Sequence, residues 1–269
     1  MKMRLLPGLL LALAPAALGA QGLPADARPA QLREVGYDQR LGEAVPLDVA
    51  LRDEDGRDVT LGQYFGKRPV VLTIVYYDCP MLCTLSLNAL ASALATLSFD
   101  VGREFEVVTV SFDPREGPDL ARAKKAAYLQ RYKRKGADAG WHFLTGDEAS
   151  LKRLTAAVGF RYAWDERTKQ FAHPAGLLVL TPDGRISRYL YGVEYAPKDL
   201  KLAVMESGAG RIGSVIDQVV LFCYQYDPQT GRYGAVVMRI VRVLAVLTLG
   251  GLAFLIYTLR RTERRAAGA

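Results

Sequence analysis

Two of the three cysteines lie in the run Cys79-Pro80-Met81-Leu82-Cys83. A spacing of four residues is close to one helical turn, so both sulfurs can face the same side. Pro80 suits the first helical position, which makes Cys79 the predicted N-cap. Helix N-terminal amides and the positive end of the dipole favour thiolates there. Two converging thiolates form a soft, low-coordination donor set, the kind that Cu(I) prefers. The same pair could equally close as a Cys79–Cys83 disulfide in an oxidising compartment. Inert core cysteines are the less favoured reading, because a strand-to-helix turn sits at the rim of an α/β sheet, where ligands bind.

A third ligand with an imidazole nitrogen would help hold Cu(II). The chain has two histidines. His142 follows Trp141 at the start of a short strand and reads as structural. His173 precedes the strand Gly176–Leu180, which the topology places beside the strand leading to the cysteines, so its loop can approach the cysteine turn. Cys223 lies in VVLFCYQY, near Tyr224, Tyr226 and Tyr233. It reads as a buried apolar residue of an interfacial segment, the alternative being an extra copper or disulfide contact.

The elements that must position these groups follow from periodicity. Pro69–Tyr76 is a continuous apolar, β-branched run, as expected of a central buried strand. Met81–Leu97 follows as a helix, with Leu87, Leu90, Leu94 and Leu97 at helical spacing. Phe105–Val110 reads as a second buried strand, Pro118–Tyr132 as a helix with a basic outer face, Trp141–Leu144 as a strand and Glu148–Val158 as a helix. Gly176–Leu180 and Ile186–Tyr191 form a predicted hairpin over Pro182-Asp183-Gly184, and Pro197–Glu206 a last helix. Small preliminary strands are expected at Val49–Leu51 and Val59–Leu61, turning at Asp55-Gly56. The expectation is an α/β sheet with helices on both faces, within one domain over 31–206.

The ends of the chain read differently. Residues 1–20 pair a basic start, Lys2 and Arg4, with an apolar run and small residues up to Ala20, the order of a signal peptide. The uncharged run VLAVLTLGGLAFLIYTL at 243–259 predicts a transmembrane helix over 238–260. A juxtamembrane segment over 207–237 precedes it, and a basic tail over 261–269 follows. Positive charge prefers the cytoplasmic side. The expected placement is therefore single-pass in an inner (cytoplasmic) membrane, with the main domain on the periplasmic or outer side. The net charge of +7 resides in these ends, and residues 5–238 sum to zero. That balance argues against a nucleic-acid partner.

In order and at these separations, several short motifs resemble the SCO/SenC copper-binding proteins of the thioredoxin superfamily over residues 35–206. They are Val70–Tyr76 running into Cys79-Pro80-Met81-Leu82-Cys83, Ser111-Phe112-Asp113-Pro114, Trp141-His142-Phe143-Leu144-Thr145-Gly146, and His173 ahead of Leu180-Thr181-Pro182-Asp183-Gly184. The resemblance implies a thioredoxin-like fold with an N-terminal strand extension, and copper, as Cu(I) or Cu(II), held by Cys79, Cys83 and His173. It implies a metallochaperone that turns over no substrate and serves the cytochrome c oxidase subunit carrying the binuclear copper site. A thiol–disulfide oxidoreductase using Cys79 and Cys83 to keep exported cysteines reduced is the second reading, and a peroxidase of the peroxiredoxin kind a weaker third. The chain departs from many members at Thr84, where they have a second proline, and at Ala172, where they have an aspartate before the histidine. Pro174 stands where thioredoxin-type reductases place a cis-proline.

Overall fold

The computed structural model describes residues 34–79, 81–212, 226–227, 232–233, 242–252 and 254–257. The expected signal peptide, the basic tail, most of the juxtamembrane segment, Pro80 and Cys223 lie outside the described residues.

The central strand β4 (Val70–Val75) is buried at every position. Its β-branched side chains fit the pleated surface between neighbouring strands. Burying each Val, Leu or Ile is worth about 1.5–3 kcal/mol relative to exposure. With β5 (Glu106–Ser111), β6 (Trp141–Leu144), β10 (Gly176–Leu180) and β11 (Ile186–Tyr191), it builds a five-stranded sheet in the order β11-β10-β4-β5-β6. β4, β5 and β6 run parallel, with Val70 opposite Glu106 and Val107 opposite Trp141. β10 runs antiparallel to β4, with Leu180 opposite Val70, and forms a hairpin with β11. The C-terminal end of β4 and the N-terminal end of β10 therefore share one edge of the sheet.

Four helices complete this part of the fold: α1 (Leu82–Thr96), α2 (Pro118–Tyr132), α3 (Glu148–Ala157) and α4 (Pro197–Gly208). On α1, Cys83, Leu87, Leu90 and Leu94 are buried, a stripe at helical spacing. Pro118 opens α2 in its first turn, and Lys133 closes it in the left-handed conformation at φ 60°. Asp147 caps α3 by accepting the Ser150 N–H at 2.8 Å, which satisfies one amide that the helix start leaves free. α1 packs against α2 and α4, α2 against β6, and α4 against β10 and β11. Close backbone approach fixes the start of β6: a Cβ at Gly140 would stand 2.2 Å from the Gly102 Cα.

The preliminary strands are β2 (Ala50–Arg52) and β3 (Asp58–Thr60), antiparallel with Leu51 opposite Val59 and Gly56 at φ +81° in their turn. Three short pairs were not expected, among them β12 (Tyr226–Asp227) with β13 (Arg232–Tyr233). β1 (Gly36–Tyr37) pairs with β7 (Phe160–Arg161), and β8 (Ala163–Asp165) with β9 (Gln170–Ala172).

The structure corrects the expected C-terminal transmembrane helix and, with it, the single-pass placement in an inner membrane. Among the described residues, no helix is long and apolar enough to cross a membrane. The run at 243–259 is apolar in composition, and its described residues, 243–252 and 254–257, are helical.

Candidate metal centre

The cysteine turn leaves the end of β4 through Tyr76, Tyr77 and Asp78. Tyr77 is 2 % exposed, and its hydroxyl reaches the Leu144 carbonyl at 2.8 Å and the Thr109 carbonyl at 3.0 Å. The turn is thereby anchored beneath the sheet edge. α1 begins at Leu82 with Met81 as its N-cap, not at Pro80 with Cys79 as the cap. Cys79 consequently lies in the turn and Cys83 in the first helical turn. The Cys83 N–H points at Cys79 Sγ at 3.3 Å, and the Tyr76 N–H at Cys83 Sγ at 3.5 Å. Thr84 donates its hydroxyl to the Cys79 carbonyl at 3.4 Å.

His173 enters from the loop between β9 and β10. Its Nε2 lies 3.1 Å from Cys83 Sγ, and one donor atom from each of Cys79, Cys83 and His173 falls within 4.8 Å of the others. A trigonal site with bonds of about 2.0–2.3 Å has ligand–ligand edges of about 3.5–4 Å, so the donors need little movement to share one ion. His173 Nδ1 lies 3.0 Å from the Pro174 carbonyl. A carbonyl oxygen can only accept, so in the neutral ring Nδ1 carries the proton and the Nε2 lone pair faces the sulfurs. The Pro174 carbonyl thus does for the imidazole what an acidic neighbour at Ala172 would do. No cis peptide bond occurs among the described residues, so Pro174 follows a trans bond.

The two thiols differ in electrostatics. Hydrogen bonding from Cys83 holds the Cys79 thiol well below its usual pKa against the opposing effect of burial, with help from His173 and from the Cys83 and Met81 amides. Burial pushes the Cys83 thiol up, and the Cys79 sulfur pushes it further. The pair therefore stands as one thiolate and one thiol, and both are free of a disulfide. Exposure is 6 % for Cys79, 2 % for Cys83 and 8 % for His173. The rings of Tyr76, Phe112 and Phe160 lie 5.6, 5.5 and 6.2 Å from the imidazole. Water is largely excluded, as suits a soft ion that needs no hydration shell.

The SCO1/SenC family model matches residues 38–205 of the chain. The protein belongs to the SCO1/SenC family. Among solved structures, a candidate electron transfer protein from Aquifex aeolicus VF5 is 28% identical at a TM-score of 0.57, covering 63% of this chain and 95% of its own. The copper-bound ScoI of Arabidopsis thaliana is 20% identical at a TM-score of 0.49, covering 64% and 99%. The copper-bound ScoI of Bradyrhizobium japonicum is 21% identical at 0.46, covering 62% and 99%. No curated protein matches the chain.

Sequence reasoning named the three converging residues of this SCO1/SenC protein and set His142 apart from them. It missed Tyr77 and Glu116, which hold the cysteine turn. The one available signal for Glu116 was its place three residues after Asp113, in a loop leaving the sheet at the cysteine end.

Proposed function

We propose that this protein is a copper metallochaperone that holds one copper ion on Cys79, Cys83 and His173 within a domain over 31–206. We further propose that it assists maturation of the binuclear copper site of cytochrome c oxidase. The observation that carries the reading is two sulfurs and one imidazole nitrogen within 4.8 Å of one another, buried at the sheet edge of an SCO1/SenC chain. The donor chemistry is that of copper: thiolates suit Cu(I), and the imidazole keeps Cu(II) accessible.

Capture begins at Cys79, whose sulfur is already a thiolate. Cys83 releases its proton as its sulfur bonds the ion, and His173 Nε2 closes the site. Release is ligand exchange, in which a recipient thiolate displaces one donor at a time. Titrating Cu(I) against a chromophoric chelator tests the reading. About one copper per domain is expected, with none retained by Cys79→Ala or Cys83→Ala; full retention by either variant would sink it.

The contact of the Cys83 N–H with Cys79 Sγ favours one second reading, a dithiol reductant. There the Cys79 thiolate attacks a partner's disulfide, Cys83 resolves the mixed disulfide, and the pair is oxidised to Cys79–Cys83 as the partner gains two thiols. Partner reduction that persists in His173→Ala and vanishes in either cysteine variant would favour it.

A further inference from the structure

The turn between β4 and α1 has to hold Cys79 against Cys83, although its amides have left the sheet ladder. Phe112 N–H still bonds the Val75 carbonyl at 2.8 Å, which is where the β4–β5 pairing ends. Tyr76 N–H turns to Cys83 Sγ, and the two donors after it, Tyr77 N–H and Asp78 N–H, both point at one carboxylate. Glu116 Oε2 accepts Tyr77 N–H at 2.6 Å, and Oε1 accepts Asp78 N–H at 2.7 Å. The Ser111 hydroxyl donates to the same Oε2. Glu116 is itself fixed by its place between Asp113, whose carbonyl accepts its N–H at 3.1 Å, and Gly117, the N-cap of α2.

We infer that Glu116 is the positioning residue of the copper site, a carboxylate clamp that sets the Cys79 sulfur by holding the two amides before it. Charge-assisted bonds to backbone N–H are about twice as strong as neutral ones, and Asp78 is the residue next to Cys79. A Gln side chain offers one acceptor oxygen and an NH₂ that cannot accept, so it can keep one amide and must lose the other. An Ala side chain loses both. The clamp occupies a place that the ligand residues do not fill: its hydrogen bonds run to the Tyr77 and Asp78 amides and the Ser111 hydroxyl, and it reaches Cys83 only through its charge.

The inference rests on the copper reading for its affinity readout, whereas the clamp itself can be read without metal. The experiment compares wild type, Glu116→Gln and Glu116→Ala as full-length chains. In metal-free reduced protein, hydrogen exchange at Tyr77 and Asp78 should accelerate at least about tenfold in Glu116→Ala, while the Val71–Ile74 amides stay unchanged. Glu116→Gln should accelerate one of the two. Cu(I) affinity against the chelator should fall about tenfold in Glu116→Ala and less in Glu116→Gln. The Cu(II)–thiolate absorption band should shift in the same order, a change that lost stability alone would not produce. Loosened amides with unaltered affinity and band would overturn the positioning role, as would unaltered exchange. If Glu116→Ala does not fold, Glu116→Gln alone decides by the same readouts. Failure of the wild type to bind copper would count against the copper reading and leave the exchange result to judge the clamp.

Discussion

The two histidines occupy opposite ends of one sheet and meet opposite surroundings. His173 stands at the edge where β4 ends, with two sulfurs in reach of its Nε2. His142 lies near the start of β6, opposite Val108 on β5. Its ring packs against Tyr64 at 4.4 Å, and its Nε2 is 3.9 Å from the Glu106 carboxylate. Glu54, Asp53, Lys125 and Arg68 surround that end, and Lys125 is ion-paired with Glu54. Among the described residues, only the first end assembles three donors that could hold an ion. Side-chain type is shared by the two sites, and His173 is the more deeply buried of the two. The soft partners differ, and they make one imidazole a candidate ligand and leave the other a half-buried packing residue.

The sharpest way to break this contrast is to remove one donor from each end. Cys79→Ala or Cys83→Ala should abolish Cu(I) retention, and His173→Ala should weaken it by about 10–100-fold, read by chelator competition. His142→Ala should leave copper affinity unchanged within about twofold. Equal losses from the two histidine variants would end the distinction.

The next test is acid stability. Burial, then the charge of Lys125, lowers the His142 pKa from 6.5 to about 4, with Glu54 and Asp53 opposing. The unfolded chain therefore binds the proton first, and the folded state loses stability as pH falls from about 6.5 to about 4. The loss is about 3 kcal/mol at most. Thermal melts over that window should show the loss in wild type and a flatter profile in His142→Phe. An equally steep profile in the variant would assign the acid sensitivity elsewhere.

At the other end the pH effect has the opposite origin. Copper binding must expel the proton that burial and the Cys79 sulfur keep on Cys83. Cu(I) affinity should rise about tenfold per pH unit through neutrality. An affinity independent of pH over 6–8 would mean that Cys83 is already a thiolate. A smaller effect is expected of Ala172→Asp. The Pro174 carbonyl already holds Nδ1, so adding the carboxylate should change affinity less than about tenfold. A larger gain would show that the carbonyl is a poor substitute.

Much of the frame was legible before any coordinates. α2, β6, β10 and β11 carry the bounds that periodicity and turn residues predict, and β4, α1, β5 and α3 differ by a residue or two at their ends. Apolar runs of strand length and stripes at helical spacing report local burial directly. The β1–β7 and β8–β9 pairs were not legible, because two or three residues are too few to show a period. The start of α1 was misplaced because a proline preference stood in for the turn that Tyr77 and Glu116 impose. The membrane span was overread because it rested on apolar composition alone, and among the described residues no helix is long and apolar enough to cross a membrane.

The sequence by itself determined the donor types, the four-residue spacing that brings Cys79 and Cys83 together, and the strand and helix on either side of them. Only the tertiary structure decided that His173 Nε2 lies 3.1 Å from a sulfur 90 positions earlier, and that Glu116 holds an amide 38 positions before it. The physical reason is range. Helix and strand periods report contacts within a few residues, whereas these two contacts exist only because the sheet order carries distant loops to one edge.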